Sequence, residues 1–470
     1  MADLDQEKAL GSAAGLRDGD GEVRPAFVEQ VADAISADNA AALLALAGDL
    51  HEADLGALIE ALDPDLRPRL VELLGKDFDF LALTEVDEKV REDILDELPP
   101  ETVAEGVRDL ESDDAVAILE HLDPEDQEEI LEGLPALDRL AIQRSLDYPE
   151  NSAGRLMQTT LVGLPPFWTA GQTLDHIHDI DDQELPDSFF EVFVVDPAHR
   201  LLGNVFLDKL VRALRSARLE DLMDADRRRV LVTEDQEEVA RFFERYNLVS
   251  APVVDEADRL VGVITIDDIV DVIREEAQED IGALGGVSPA EELSDTVWWI
   301  TRSRFLWLLV NLMTAFLASA VIGLFEGQLE KMVALAVLVP IVASQGGNAA
   351  TQTMTVAVRA LATRELTRAN AMRVVRRELL VGCANGLGFG IISGVAAATW
   401  FGMASLGFVI GLAMFTNMVA GALGGILIPM VLEKFKADPA VSSGAFVTTV
   451  TDVVGNFAFL GIATLWFGLL

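Results

Sequence analysis

Residues 305–325 form a run of 21 positions without one charged side chain. About 20 predominantly apolar residues carry a helix across the hydrocarbon core of a bilayer, where each backbone polar group must find its partner within the segment. Long apolar stretches follow at 332–358, 379–401, 406–432 and 441–470. Residues 302–470 therefore read as an all-α domain of five membrane-crossing helices. The second stretch contains Pro340 and the polar run SQGGNAATQT. As one straight helix it would span ~40 Å, more than the hydrocarbon core, so a tilted or broken helix is expected there. Gln345, Asn348, Thr351 and Gln352 at such depth need protein or water partners. The third stretch carries Gly382, Gly386, Gly390 and Gly394, a ladder that permits close helix packing.

The last stretch holds one carboxylate, Asp452. An acid at the bilayer centre costs roughly 2.5–3.5 kcal/mol on insertion scales, and such residues face a bundle interior or a water-filled path. Thr448, Asp452 and Asn456 are spaced i, i+4, i+8, which puts them on one helix face. That stripe reads as the wall of a cation path. The competing reading is an aspartate satisfied by a buried structural hydrogen bond.

Charge divides the chain. Residues 1–295 hold 72 acids against 24 Lys+Arg, a net of −48, while the remainder is +4. So acidic a surface excludes nucleic acid as a partner, because phosphate binding needs basic groups. Seven lysines against 28 arginines, with abundant Asp and Glu, suggest a halophile whose salt-rich cytoplasm screens the self-repulsion. The single cysteine, Cys383, lies in an apolar stretch, so neither a disulfide framework nor a cysteine zinc site is expected. The acidic, polar N-terminus reads as having no signal peptide. Arg302 and Arg304 precede the first span. Arg359, Arg364, Arg368, Arg373, Arg376 and Arg377 fill the second-to-third connection, and Lys434 and Lys436 the fourth-to-fifth. The positive-inside rule then puts the acidic half in the cytoplasm and the C-terminus outside.

Residues 1–24 are charged and read as a disordered tail. From 25 to 147 apolar residues recur at i, i+3, i+4, broken by Asp63-Pro64, Pro99-Pro100, Asp123-Pro124 and Pro135, each placing proline at a helix start. The loose repetition suits stacked short helices in a small superhelix, and equally an ordinary helical bundle. Two units of like grammar follow, FFEVFVVDPAHRLLGNVFLDKLVRAL and LVSAPVVDEADRLVGVITIDDIVDVI: a β-rich run, a turn, a Leu-x-Gly run, then an aspartate opening a helix. They resemble a tandem pair of cystathionine-β-synthase (CBS) domains, at 148–215 and 216–274, a regulatory module that commonly binds adenosine nucleotides or ions. The second unit keeps the Thr-x-x-Asp pattern of nucleotide-binding copies at Thr265 and Asp268, which implies one ATP site at most. The first departs from it, with Val205 where threonine would stand before Asp208. Asp268 is also explained by the helix dipole alone. His176 and His178, at i, i+2, point apart and do not make a metal pair.

Asp267, Asp268, Asp271, Glu275, Glu276, Glu279 and Asp280 crowd into 14 positions at the end of the module. On a helix Asp268, Asp271 and Glu275 fall near one face, with Glu276, Glu279 and Asp280 close by. Such a row can close on another acidic surface only around hard divalent cations, which prefer oxygen ligands. A solvated face in a very acidic protein is the alternative.

YPENSAGRLM, RLVGVITIDDIVDVIREEAQEDI, WLLVNLMTAFLASAVIGLFE, GGNAAT and DPAVSSGAFVTTVTDVVG together resemble the MgtE family of magnesium channels and transporters, over about residues 25–470. The resemblance implies a helical N domain at 25–147, the CBS pair, an acidic connecting helix and linker at 275–301, and five transmembrane helices. It implies a homodimer in the cell membrane with its pore between subunits, lined by Asp452, by the Thr448 carbonyl and by Asn348. Ala350 stands where the family often has glycine, so the local backbone can differ. It also implies closure by intracellular Mg²⁺ held at Asp268, Asp271, Glu276, Glu279 and Asp280, with Asp235 and Glu237 as further candidates. Two other readings compete: transport of Co²⁺, Zn²⁺ or Ca²⁺, and a membrane-anchored sensor without transport. No His or Cys lies in the pore-like stretches, which weighs against soft metals. An enzyme is not expected, for want of a nucleophile–base set, a P-loop or a dinucleotide fingerprint.

Overall fold

The computed structural model describes residues 16–19, 21–180, 185–186, 188–224, 228–288, 291, 295–367 and 369–469. Residues 1–15 of the expected tail, part of the 275–301 linker, Arg368 and Leu470 lie outside them. The chain forms two compact units, Met1–Glu275 and Glu276–Leu470.

The first unit opens with short helices: α1 (Pro25–Ser36), α2 (Ala40–Ala47), α3 (Glu52–Ala61), α4 (Arg67–Leu74), α5 (Glu88–Glu97), α6 (Pro100–Val107), α7 (Ser112–Leu119), α8 (Pro124–Glu132) and α9 (Ala136–Leu146). Pro25, Pro100 and Pro124 stand in first turns, where a missing N–H costs little, and Asn39 caps α2 by accepting from the Ala42 amide at 3.2 Å. Their apolar faces share one core running from Leu16 to Ile142. Order thus starts before Pro25. Leu16 is fully buried and Arg17 pairs with Asp54 at 2.7 Å, so residues 16–19 and 21–24 are not a free tail. An apolar residue in a charged stretch, with a carboxylate waiting on α3, is enough to hold them.

Next come α10 (Ala153–Leu156), β1 (Gly163–Leu164), α11 (Ala170–Asp179), β2 (Glu191–Val195), β3 (Leu201–Phe206), α12 (Leu207–Arg212), α13 (Leu219–Leu222), β4 (Val230–Leu231), α14 (Gln236–Tyr246), β5 (Ser250–Val254), β6 (Leu260–Thr265) and α15 (Ile266–Gly285). Each three-stranded sheet pairs its first strand parallel and its last antiparallel to the middle one. The repeat extends to the turns. Asp196 accepts from the Ala198 and Arg200 amides at 2.8 and 2.9 Å, and Asp255 from Ala257 and Arg259 at 2.9 Å each. These two turns bond to each other, Leu260 N–H to the His199 carbonyl and Leu201 N–H to that of Asp258. A fully buried middle strand in each sheet, apolar but for Glu191 in β2 and Ser250 in β5, supplies the core.

The second unit holds α16 (Val297–Gly323), α17 (Glu326–Lys331), α18 (Val333–Ala362), α19 (Ala371–Phe401), α20 (Ala404–Lys434) and α21 (Pro439–Phe467). All but α17 provide segments long and apolar enough to cross a membrane. Of the tilted or broken helix expected in the second span, the broken form is absent: α18 runs unbroken through Pro340. Leu338, Val339 and Val342 beside that proline are buried in a core shared with α20 and α21, and neighbouring helices of this kind are what make an interior proline tolerable in a span. The glycine ladder of α19 lies against α20. A Cβ on Gly390 would fall 2.7 Å from the Gly411 carbonyl oxygen, and one on Gly394 2.8 Å from that of Gly407, so only glycine permits this approach.

Candidate functional site

Asp452 sits on α21, half-exposed, with no hydrogen bond or ion pair among the described residues. Thr448, one turn earlier and also half-exposed, folds its hydroxyl back onto the Gly444 and Ala445 carbonyls at 3.0 and 3.1 Å. The Thr448 carbonyl accepts from the Thr451 hydroxyl at 2.9 Å in addition to its bond within the helix. Thr451 is fully buried and was not singled out by the sequence pattern. Asn456 departs from the stripe: it is 3% exposed, inside the bundle, and its Oδ1 has no partner among the described residues. Asn348 lies on α18 and is exposed. α18 and α21 are in ordinary van der Waals contact here, for a Cβ on Gly347 would stand 3.9 Å from the Thr451 hydroxyl.

The first unit has a second concentration of acid. The start of α7 docks on the segment after α10: the Thr159 amide donates to Ser112 Oγ at 2.7 Å, Gln158 bonds Glu111, and Arg155 pairs with Glu120 at 3.3 Å. This docking sets Asp113 and Asp114 of α7 near Asp268 of α15. Burial pushes the Asp113 carboxyl well above the usual carboxylate range, and the charges of Asp268, Asp114 and Glu111 push it further. Asp268 is raised too, first by burial and then by Asp267 and Asp114, against hydrogen bonds from the Thr265 hydroxyl and amide at 2.9 and 3.3 Å. Loss of solvent beside the helical domain also raises Glu275, with Asp271 and Glu120 adding to it. Asp113 and Asp114 are invisible as a pattern, since they are two acids among dozens and only the fold brings them to α15.

The other expected ligands are arranged differently. Asp271 pairs with Arg274 at 3.2 Å, Asp235 caps α14 through the Glu237 amide at 3.0 Å, and Glu237 itself is bonded to Arg241. Glu276, Glu279 and Asp280 continue along α15. Among the described residues no three His, Cys, Asp or Glu side chains converge into a metal cage. The Asp113–Asp268 pair is nonetheless a hard-oxygen donor set, and Mg²⁺ usually keeps several waters and takes one or two carboxylates rather than a full cage. Thr265 and Asp268, expected to bind nucleotide, are bonded to one another. A cavity of about 610 Å³ lies instead on the first CBS unit, lined by Asn204, Asp208, Lys209, Arg212 and Asp224 among others.

Residues 339–462 match the sequence model of a family described as divalent cation transporter, 50–151 that of the MgtE intracellular N domain, and 219–275 that of the CBS domain. The magnesium transporter MgtE of Thermus thermophilus is 31% identical over 441 residues, covering 88% of this chain and 96% of that protein. The chain belongs to the MgtE family of magnesium transporters. The magnesium transporter MgtE of Bacillus subtilis is 30% identical over 417 residues, 88% of this chain and 92% of that one. A solved structure of the cytosolic domain of the Mg²⁺ channel MgtE in complex with ATP is 28% identical, covers 52% of this chain and 99% of its own, and superimposes with a TM-score of 0.48. As in its relatives, transport rather than enzymatic turnover is the MgtE role, and the chain is a membrane protein with five candidate spans. The matched CBS domain covers only the second unit, and the shared strand topology supplies the first.

Proposed function

We propose that this MgtE-family chain, as a homodimer in the cell membrane, forms a Mg²⁺-selective uptake path that intracellular Mg²⁺ closes. One observation carries the reading: Asp452, half-open on α21, has no partner among the described residues and is the one charged side chain in that helix. Two copies would make a local ring of negative charge. Carboxylates and carbonyls spaced for a hydrated ion suit Mg²⁺, which gives up water reluctantly. Asn348 and the Thr448 carbonyl are the further oxygen donors of this path. The outer face of α16, where Phe305, Leu308, Leu312, Met313 and Phe316 are exposed, suits lipid and a second copy. The arginines and lysines of the connections keep the acidic unit cytoplasmic and the end of α21 outside.

Closure rests on the acidic face. Charged Asp113 and Asp268 repel across the contact of α7 and α15, and a divalent cation beside them would lift that repulsion. By its early turns α15 belongs to the core of the second CBS unit through Ile269 and Val272, and by its last turns to the core of the membrane unit through Ala283. A ligand that binds the closed arrangement better shifts the population toward it. The proposal includes an adenine nucleotide as a second effector at the second CBS unit, at Thr265 and Asp268. The test is Mg²⁺ influx into proteoliposomes, wild type beside Asp452→Asn. Flux lost in the folded mutant supports the path, and equal flux in both sinks it. For closure, neutralising Asp268 and Asp271 together must weaken inhibition by Mg²⁺ on the cytosolic side; unchanged inhibition removes that half of the proposal.

A further inference from the structure

Asn417 lies near the middle of α20 and is fully buried. Its Nδ2 donates to the Val342 carbonyl of α18 at 2.8 Å, and its Oδ1 has no partner among the described residues. Two glycines enclose the amide. A Cβ on Gly346 of α18 would fall 2.0 Å from Nδ2, and one on Gly455 of α21 would fall 2.4 Å from it. The side chain therefore fills a slot with one backbone wall on each of the helices that carry Asn348 and Asp452. Gly346 is two residues before Asn348 and Gly455 three after Asp452, about 3 and 4.5 Å along the helix axes.

An apolar side chain in this slot would leave no orphaned acceptor in the middle of a bundle, so the amide is retained against a cost. What an amide adds is direction. Its N–H selects one carbonyl on α18, and that fixes position along the axis as well as separation. Glycine walls leave no slack for the helices to settle elsewhere. We infer that Asn417 is a positioning residue for the ion path, setting the spacing and axial register of α18 and α21 and hence of Asn348 relative to Asp452. The inference rests on the reading of Asp452 as the pore carboxylate. Donors meant for a hydrated Mg²⁺ must stand farther apart than a dehydrated ion needs. A displacement at the slot passes along two rigid helices to those donors within one turn.

The experiment measures Mg²⁺ and Ca²⁺ influx separately in proteoliposomes of the full chain, with monodispersity and thermal melting in detergent as the record of folding. The variants are Asn417→Leu, Gly455→Ala, the double variant Asn417→Ala/Gly455→Ala, and Asp452→Asn. Asn417→Leu is expected to fold and to lower the Mg²⁺-to-Ca²⁺ influx ratio about tenfold, within the range that an ångström of misplacement produces. Gly455→Ala alone should lose folded yield, because its Cβ meets the amide. The double variant should recover folding without recovering the ratio, which a filler role for Asn417 does not predict. A wild-type ratio in folded Asn417→Leu, or recovery of both folding and ratio in the double variant, overturns the inference. Lost flux in Asp452→Asn beside such a result confines the failure to Asn417, whereas wild-type flux in Asp452→Asn removes the pore reading and this inference with it.

Discussion

In the membrane unit one carboxylate, Asp452, stands half-open on α21 with no partner among the described residues, while in the first unit Asp113, Asp114 and Asp268 are pressed together by the docking of α7. The first arrangement concentrates function in one atom pair, since few other charges share the apolar bundle. The second spreads it over a face where each acid is backed by others. Removing one charge should therefore be severe in one region and mild or even stabilising in the other. Charge number is a poor guide to importance, and the surroundings of each group decide.

Asp452→Asn makes the sharpest test of that contrast, with Mg²⁺ influx in proteoliposomes expected to fall about 100-fold or more as the ring of charge is lost. Next in size, Asp113→Asn with Asp268→Asn should raise the melting temperature of the full chain in Mg²⁺-free buffer by several degrees, since about 1 kcal/mol moves a domain of this size by roughly 2–4 °C. The further rise on adding Mg²⁺ should shrink in the same melts. A drop in melting temperature on neutralising this pair would show that the face is not repulsive and would undo the comparison. Thr451→Val removes the hydroxyl bonded to the Thr448 carbonyl, a loss of about 1 kcal/mol in the melt with a smaller change in flux than at Asp452.

The smallest effect concerns Glu191, a buried acid in the interior of the CBS pair that accepts from Ser250 Oγ at 2.7 Å and from Asn204. Burial raises its carboxyl above the usual range despite those bonds. A raised folded-state value favours the protonated acid, so its contribution is best below the unfolded value and is lost as pH rises through the folded one. Glu191→Gln should flatten the decline in melting temperature between acidic and neutral pH. An unchanged slope would refute the assignment.

Much of the architecture was legible from pattern alone. Runs without charge, proline at helix starts and the repeated strand–turn–strand grammar each report a local rule, and the five spans, the helical domain and two like α/β units follow from them, while the reading of those units as CBS domains comes from resemblance. Boundaries and breaks were less legible. Pro340 suggested an interruption because a sequence shows the lost hydrogen bond but not the neighbours that hold the helix straight. Leu16 looked like part of a tail because one apolar residue among acids carries no period. At the candidate sites, Asp452 stood out against its surroundings, whereas Asp113 did not, and Asn456 shared a face with Asp452 in projection yet lies inside the bundle. Helical spacing gives direction around an axis and says nothing of what packs there.

The connector between α19 and α20 is only Gly402 and Met403. With Gly390 and Gly394 lying on Gly411 and Gly407, that pair of helices is complete within one short stretch of sequence. Contacts so local close quickly, and during synthesis the hairpin can zip shut and enter the bilayer as one piece before α21 has left the ribosome. The segment bearing Asp452 then arrives after that hairpin, inserting its costly carboxylate against a scaffold already built to receive it.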